Sequence, residues 1–281
     1  MIPDIPEIPD IPEIPDIPEI PDIPEINVSR LGAVQVLAIT RPDKKNALTR
    51  AMYAALSDAL QSGDADPDIA AHVITGSGGM FTAGNDISDF LATATGAGGM
   101  VNEVLRFIRL LPLIKKPLVA AVDGIAIGIG TTLLFHCDLV YATPAATFAT
   151  PFLDLGLVPE AGSSLLMPRV MGYQRSFEML VLGGTFTAER ARDAGFVNAI
   201  CPAADLEATA FKAAARLAAK PPEALAIARA LMRGDVAEIS ARIDEEAIAF
   251  ERRLKSPEAR EAFQAFLEKR PADFSKAKAR G

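Results

Sequence analysis

Proline stands at every third position from Pro3 to Pro24, within eight copies of Ile-Pro-(Asp/Glu). Helices and central strands do not tolerate that spacing, because proline lacks a donor and its ring clashes with the preceding turn. Polyproline II, with three residues per turn, remains open to it, placing isoleucines along one edge and carboxylates along another. Residues 1–26 are thereby set apart from the rest of the chain. Two readings stand: a docking arm offering its isoleucine edge to a partner, or a solvated leader. A secretory signal is excluded, since the segment lacks a basic start and an unbroken apolar stretch. It also holds the charge. Removing its eight acids from the total of 36 leaves 28, against 28 Lys and Arg. A neutral body whose longest basic runs are Lys44-Lys45 and Lys115-Lys116 gives no grip on nucleic acid.

From Asn27 onward the chain is globular in character: half of all residues are hydrophobic, ample for a core. Cys137 and Cys201 lie far apart, and His72 and His136 stand alone. Neither a disulfide scaffold nor a metal site is expected. Strands are predicted at Val34–Ile39, 70–75, Leu118–Val122, 138–142, 147–153 and 197–200. Helices are predicted at 49–62 behind a Thr49 cap, 87–91, 100–111, 161–171, 174–182 and 188–194. Beyond Pro202 the pattern is helical throughout. This is an α/β chain: residues 27–200 form a βα-alternating core and residues 201–281 a C-terminal helical region. No stretch is long and apolar enough to span a bilayer. No address is visible at either end, and a cytoplasmic location is expected.

Three glycines, at 124, 128 and 130, let the backbone between two apolar segments run close to something else. The G-x-G-x-x-G spacing of a dinucleotide site is absent. The segment instead belongs to a set. Arg41-Pro-Asp-Lys-Lys-Asn-Ala-Leu48, Gly76 through Phe81-Thr-Ala-Gly-Asn-Asp86, and Val122-Asp-Gly-Ile-Ala-Ile-Gly running into Cys137-Asp138 together resemble the crotonase (enoyl-CoA hydratase/isomerase) superfamily. Thr187-Ala188 and Ala194-Gly195-Phe-Val-Asn198 extend the likeness, which covers about residues 28–270. The resemblance implies a spiral of ββα units, a homotrimer or dimer of trimers, and an acyl-CoA substrate. Coenzyme A would be part of that substrate, so no separate cofactor is expected, nor any nucleic acid or membrane partner.

The same resemblance implies two main-chain N–H donors for the thioester oxygen, at Asn85 and Ile129. The family usually has glycine where Ile129 sits, but any non-proline residue supplies the N–H. It points to Lys45, Asn46 and Ala47 for the nucleotide end of coenzyme A, and to Ala83, Asn85, Asp86 and Ile87 for the adenine and pantetheine path. Arg253 and Lys269, in the C-terminal helical region, are further cations that could reach coenzyme A, though no motif fixes them. Residues 92–100 are expected to border the acyl pocket.

Hydratases of the family use two glutamates around a water. Thr132 and Phe152 occupy those positions here, so an acid and base for water are missing. Thr150-Pro-Phe-x-x-Leu-Gly156 followed by Pro159-Glu-Ala-Gly-Ser-Ser164 resembles the peroxisomal-type Δ3,Δ2-enoyl-CoA isomerases, in which that glutamate is the sole acid/base. Glu160 is the expected catalyst, with Asp154 as competitor. The plainer reading of Glu160 is an acid favouring a helix N-terminus. Asp86 and Asp138 read as structural acids, His136 as a core or interface histidine, Thr131 and Thr132 as packing residues. The expected reaction is a 3-enoyl to 2-enoyl shift. Hydration, ring-opening isomerisation of an aryl-CoA, or a non-catalytic acyl-CoA-binding role on the same scaffold are the alternatives.

Overall fold

The computed structural model describes residues 24–86 and 102–277. The expectations placed on Ile87, on residues 87–101 and on most of the Ile-Pro-acid segment lie outside the described residues.

The chain opens with an antiparallel hairpin, β1 (Ile26–Leu31) and β2 (Val34–Ile39). Parallel strands β3 (Ala71–Gly76), β4 (Leu118–Val122), β6 (Leu139–Ala142) and β9 (Ala199–Ile200) continue the sheet, in the order β1-β2-β3-β4-β6-β9. Every residue of β4 is buried, which explains its unbroken apolar reading: a parallel strand covered on both faces has no polar side. On one face Leu37, Ile74 and Ala120 pack into the main core with Met52, Leu56 and Leu60 of helix α1 (Arg50–Ala65). Thr49 caps α1, accepting from the amide of Met52 at 3.3 Å. On the other face Val34, Val73, Val119 and Ala121 meet Leu206, Ala210 and Ala214 of helix α7 (Leu206–Ala218). Their four-residue spacing forms one stripe, and the two alanines let the helix axis lie close to the strands.

A second sheet joins β5 (Ile125–Ile127), β7 (Thr147–Ala149) and β8 (Phe186–Thr187). Helices α2 (Asn102–Leu110), α3 (Ile129–Thr132), α4 (Ser163–Met171), α5 (Tyr173–Leu180) and α6 (Ala188–Ala194) fill the connections. After α7 come α8 (Pro222–Arg233), α9 (Val236–Leu254), α10 (Pro257–Leu267) and α11 (Phe274–Ala277).

Several elements depart from the expected pattern, the short strands β5 and β8 among them. β1 was not predicted: its sequence INVSRL is polar and half-buried, as befits an edge strand. The strand expected over 147–153 ends at Ala149, and Leu153–Leu155 turns instead as a 3-10 helix after Pro151. Helix α4 begins at Ser163 rather than 161, because Ala161 and Gly162 both take left-handed conformations, with φ of 57° and 70°.

The close seat of α7 is testable. Ala214→Leu inserts three carbons where Ala214 is fully buried. It is expected to lower stability by about 1–3 kcal/mol in denaturant titration.

Candidate active site

Short backbone bridges bring the motif segments together. The amide of Leu48 donates to the carbonyl of Gly84 at 2.8 Å, and the amide of Asp86 to that of Leu48 at 2.9 Å. Thr82 exchanges two bonds of 3.0 Å with Ile125 and Ile127 of β5. The segment from Thr82 to Asp86 thus runs between the 41–48 loop and β5. Gly84 is required there: with φ of 83°, a side chain would begin 2.7 Å from the carbonyl oxygen of Ile127. Gly128, at φ 58° and ψ −120°, makes the turn from β5 into α3 in a conformation open to glycine alone.

Asn46 is fully buried and locks its loop. Its Oδ1 accepts from the amide of Arg41 at 2.8 Å, and its Nδ2 donates to the carbonyls of Ser77 and Met80 at 2.9 and 2.7 Å. Arg41 then donates to the carbonyl of Ala47 at 2.9 Å and pairs with Asp86 at 2.7 Å, joining the two loops. The side chains of Asn46 and Asp86 thus hold the loops to the body. Lys45 and Asn46 are both left-handed, at φ 52° and 55°, and Lys45 is exposed.

A cavity of about 540 Å³ opens beside this ladder. Lys45, Ala83, Asn85 and Gly128 form one side, Phe152 and Asp154 another, and Phe250, Phe263 and Phe266 come from the C-terminal helices. Among the described residues, no acceptor meets the amide N–H of Asn85 or of Ile129, the first residue of α3. The side-chain oxygen of Asn85 accepts a hydrogen bond from the hydroxyl of Tyr53 on α1. Burial and the nearby Glu160 charge push the Tyr53 phenol well above its ordinary range, so it stays a neutral donor.

Glu160 is not a helix-capping acid. It lies three residues before α4, is 4% exposed, and accepts from Thr132 Oγ1 at 2.5 Å. Thr132 ends the helical turn that Ile129 begins, so the carboxyl and the Ile129 amide are tied to one element. Burial raises the pKa of Glu160 to about 8; the Thr132 bond opposes that shift and the charge of Glu246 on α9 adds to it. The cavity lining does not include Glu160; Phe152, itself 5% exposed, lines it instead. His136 is buried and its Nε2 donates to the carbonyl of Ala161 at 2.7 Å. Burial lowers its pKa to about 4, so it is a neutral imidazole at neutral pH.

The other expected residues are placed as follows. Asp138 is structural, accepting from the amide of Leu118 at 2.8 Å and pairing with Arg229 at 2.9 Å. Thr131 bonds to the carbonyls of Ala126 and Ala149. Asp154 lines the cavity. Arg253 is held by the carbonyl of Gly156 and by Glu258. Sequence reasoning missed Tyr53, Glu246 and the cavity-lining Arg270, and gave Thr132 only a packing role. Glu246 did leave a signal: it interrupts the apolar stripe Ile239, Ile243, Phe250 and Leu254.

This arrangement is that of a crotonase fold. The family model described as enoyl-CoA hydratase/isomerase matches residues 30–277, and the chain belongs to that family. It is 36% identical over 251 residues to enoyl-CoA delta isomerase 2 of Rattus norvegicus, covering 88% of this chain and 64% of that protein's length. It is 33% identical to the 1,2-epoxyphenylacetyl-CoA isomerase of Escherichia coli (strain K12), covering 86% of this chain and 95% of the relative. The enoyl-CoA hydratase/isomerase structure from Pseudoalteromonas atlantica T6c superposes with a TM-score of 0.84 at 39% identity, covering 89% and 99% of the two chains. Among the described residues, no helix is long and apolar enough to cross a membrane, and no cluster of side chains suits a metal ion.

The pKa of Glu160 has a consequence for stability. The unfolded chain releases this proton near 4.5, the folded chain near 8. Folding therefore takes up a proton across that window, and its contribution to stability is lost as pH rises through about 8. Glu160→Gln removes the dependence. The variant is expected to gain on the parent by about 1 kcal/mol or more between pH values of about 5 and 8.5, read by denaturant titration.

Proposed function

We propose that the chain is an isomerase that moves the double bond of a 3-enoyl-CoA into conjugation, giving the 2-enoyl-CoA, with Glu160 as the sole proton carrier. The observation that carries this reading is the buried Glu160 carboxyl, hydrogen-bonded to Thr132 and raised to about 8. Thr132 and Phe152 stand where hydratases of this family have their glutamates. A threonine already bonded to Glu160 and a phenylalanine in the cavity wall give water neither an acid nor a base.

In this mechanism the thioester carbonyl accepts from the main-chain amides of Asn85 and Ile129. The Glu160 carboxylate takes a proton from C2, and the electron pair delocalises onto the carbonyl oxygen as a dienolate. The two N–H groups meet that charge; one such donor is worth about 3 kcal/mol in comparable sites. Glu160 then returns the proton to C4, leaving the double bond between C2 and C3. No water is added and no second carboxylate is called for. A carboxylate of pKa about 8 is a stronger base than an exposed one, at the cost of being mostly protonated at neutral pH. Coenzyme A would lie along Lys45, Ala47, Ala83 and Asn85, with the Lys45 ammonium toward its phosphates, while Asn46 and Asp86 keep those loops in place.

The test uses purified protein, trans-3-enoyl-CoA, and absorbance of the conjugated product. Turnover is expected, with kcat/KM rising with pH through about 8. Glu160→Gln is expected to cut kcat by about a thousandfold or more while leaving coenzyme A binding intact, and Asp154→Asn to stay within about threefold of the parent. Efficient hydration of 2-enoyl-CoA without isomerisation, or loss of activity in Asp154→Asn alone, would overturn the assignment.

A homotrimer, or a dimer of trimers, is the assembly that accompanies this reading. Its support is helix α8, which buries none of its residues and exposes Ile227, Leu231 and Met232. Light scattering on the purified chain is expected to give a trimer or hexamer mass; a monomer would contradict it.

A further inference from the structure

Glu246 is 7% exposed and stands on the apolar face of α9, between Ile243 and Phe250. A carboxylate in such a position is costly unless every oxygen has a donor. Here each has one: Oε2 accepts from the amide of Gly162 at 2.6 Å, and Oε1 from the amide of Ser164 at 2.9 Å. Those amides belong to the turn that follows Glu160. That turn is strained, since Ala161 is a non-glycine residue at φ 57°, a conformation that persists only when surroundings impose it. His136 holds the Ala161 carbonyl from one side, and Ile239 and Ile243 pack on Gly162 from the other.

We propose that Glu246 is a positioning residue for Glu160: its carboxylate clamps the left-handed Ala161–Gly162 turn that aims the Glu160 side chain. The groups facing Glu160 are Thr132 from α3, Tyr53 from α1 and Glu246 from α9, with neutral His136 on the next carbonyl. Those facing Glu246 are Arg242 on its own helix, which also reaches the Ser164 hydroxyl at 3.3 Å, Ser164 itself, and Glu160. Among them, Glu246 is the acid whose removal makes Glu160 easier to ionise. The clamp leaves Glu246 without substrate contact, so its loss is expected in kcat rather than KM.

The inference rests on the isomerase reading for its kinetic readout, and a second readout is independent of turnover. The protonated-carboxyl infrared band of Glu160, identified by its disappearance in Glu160→Gln, is titrated in the full-length parent and in Glu246→Gln. The midpoint in Glu246→Gln is expected to fall by about half a pH unit or more, because one negative charge has gone. Its kcat for 3-enoyl-CoA is expected to fall about tenfold with KM within about threefold, because one amide of the turn loses its acceptor. Should the amide variant fail to fold, Glu246→Asp keeps the charge and stops one methylene short. It is expected to leave the midpoint in place and lower kcat by a similar factor. An unmoved midpoint in Glu246→Gln overturns the proposal, as does a parent-like kcat in Glu246→Asp. If Glu160→Gln still isomerises, the catalytic reading falls, and the infrared midpoint alone decides the role of Glu246.

Discussion

The interaction on which the site depends is the hydrogen bond from Thr132 to the buried Glu160 carboxyl. A carboxyl without water is expensive to ionise, and one hydroxyl donor is not enough to offset that. The outcome is an acid held near the protonation boundary rather than committed to either form, which is what proton transfer to and from carbon asks for. The same bond fastens the 160 turn to α3, whose first residue is Ile129, with an amide that meets no acceptor among the described residues. One contact thereby couples the placement of the proposed base to that of a proposed oxyanion donor.

The loops beside the cavity are held in place for a different reason. Residues 41–48 and 82–86 are loops by pattern, yet their backbones are paired like strand edges through Leu48, Gly84, Thr82 and Ile125. Asn46 and the Arg41–Asp86 pair, both largely shielded from water, close the remaining gaps. Polar side chains serve here as stitches between segments. An apolar core residue at 46 would leave the amide of Arg41 and the carbonyls of Ser77 and Met80 without these partners in a buried place. The loops are thus able to present main-chain donors with little reorganisation, the condition under which such donors are most effective.

The parts of the fold governed by local pattern were legible in the sequence. Val34–Ile39 and Leu118–Val122 are apolar runs of strand length, and Val236–Leu254 keeps its stripe over five turns. β5 was hidden because Gly124 and Gly128 flank only three residues, and its identity as a strand comes from Thr82 and β7, both distant in sequence. The motifs gave Glu160, Asn85 and Ile129 their candidacy, but nothing local marks what stands behind them. Nothing local singles out Tyr53 within α1, and its hydroxyl acquires meaning only against Asn85, 32 residues away. Glu246 lies 84 residues from the amide it caps, a relation that helical periodicity exposes as an anomaly without naming its partner.

Why a glutamate at 160 pairs with threonine at 132 and phenylalanine at 152 follows from the chemistry proposed. Hydration must hold water against two ionisable groups, so it favours a wet, acidic pocket. An internal allylic transfer gains nothing from water, which would compete for the proton and solvate the carboxylate back toward an ordinary pKa. Phe152 in the cavity wall and a hydroxyl in place of a carboxylate at 132 both lower the polarity around the carboxyl. Glu246 escapes that rule because its oxygens are turned toward the amides of Gly162 and Ser164, so that its charge is felt at Glu160 while its hydrogen-bonding capacity is taken up elsewhere. Burial and a neighbouring acid turned away from the carboxyl act in the same direction, raising the basicity of the Glu160 carboxylate that the proposed transfer uses.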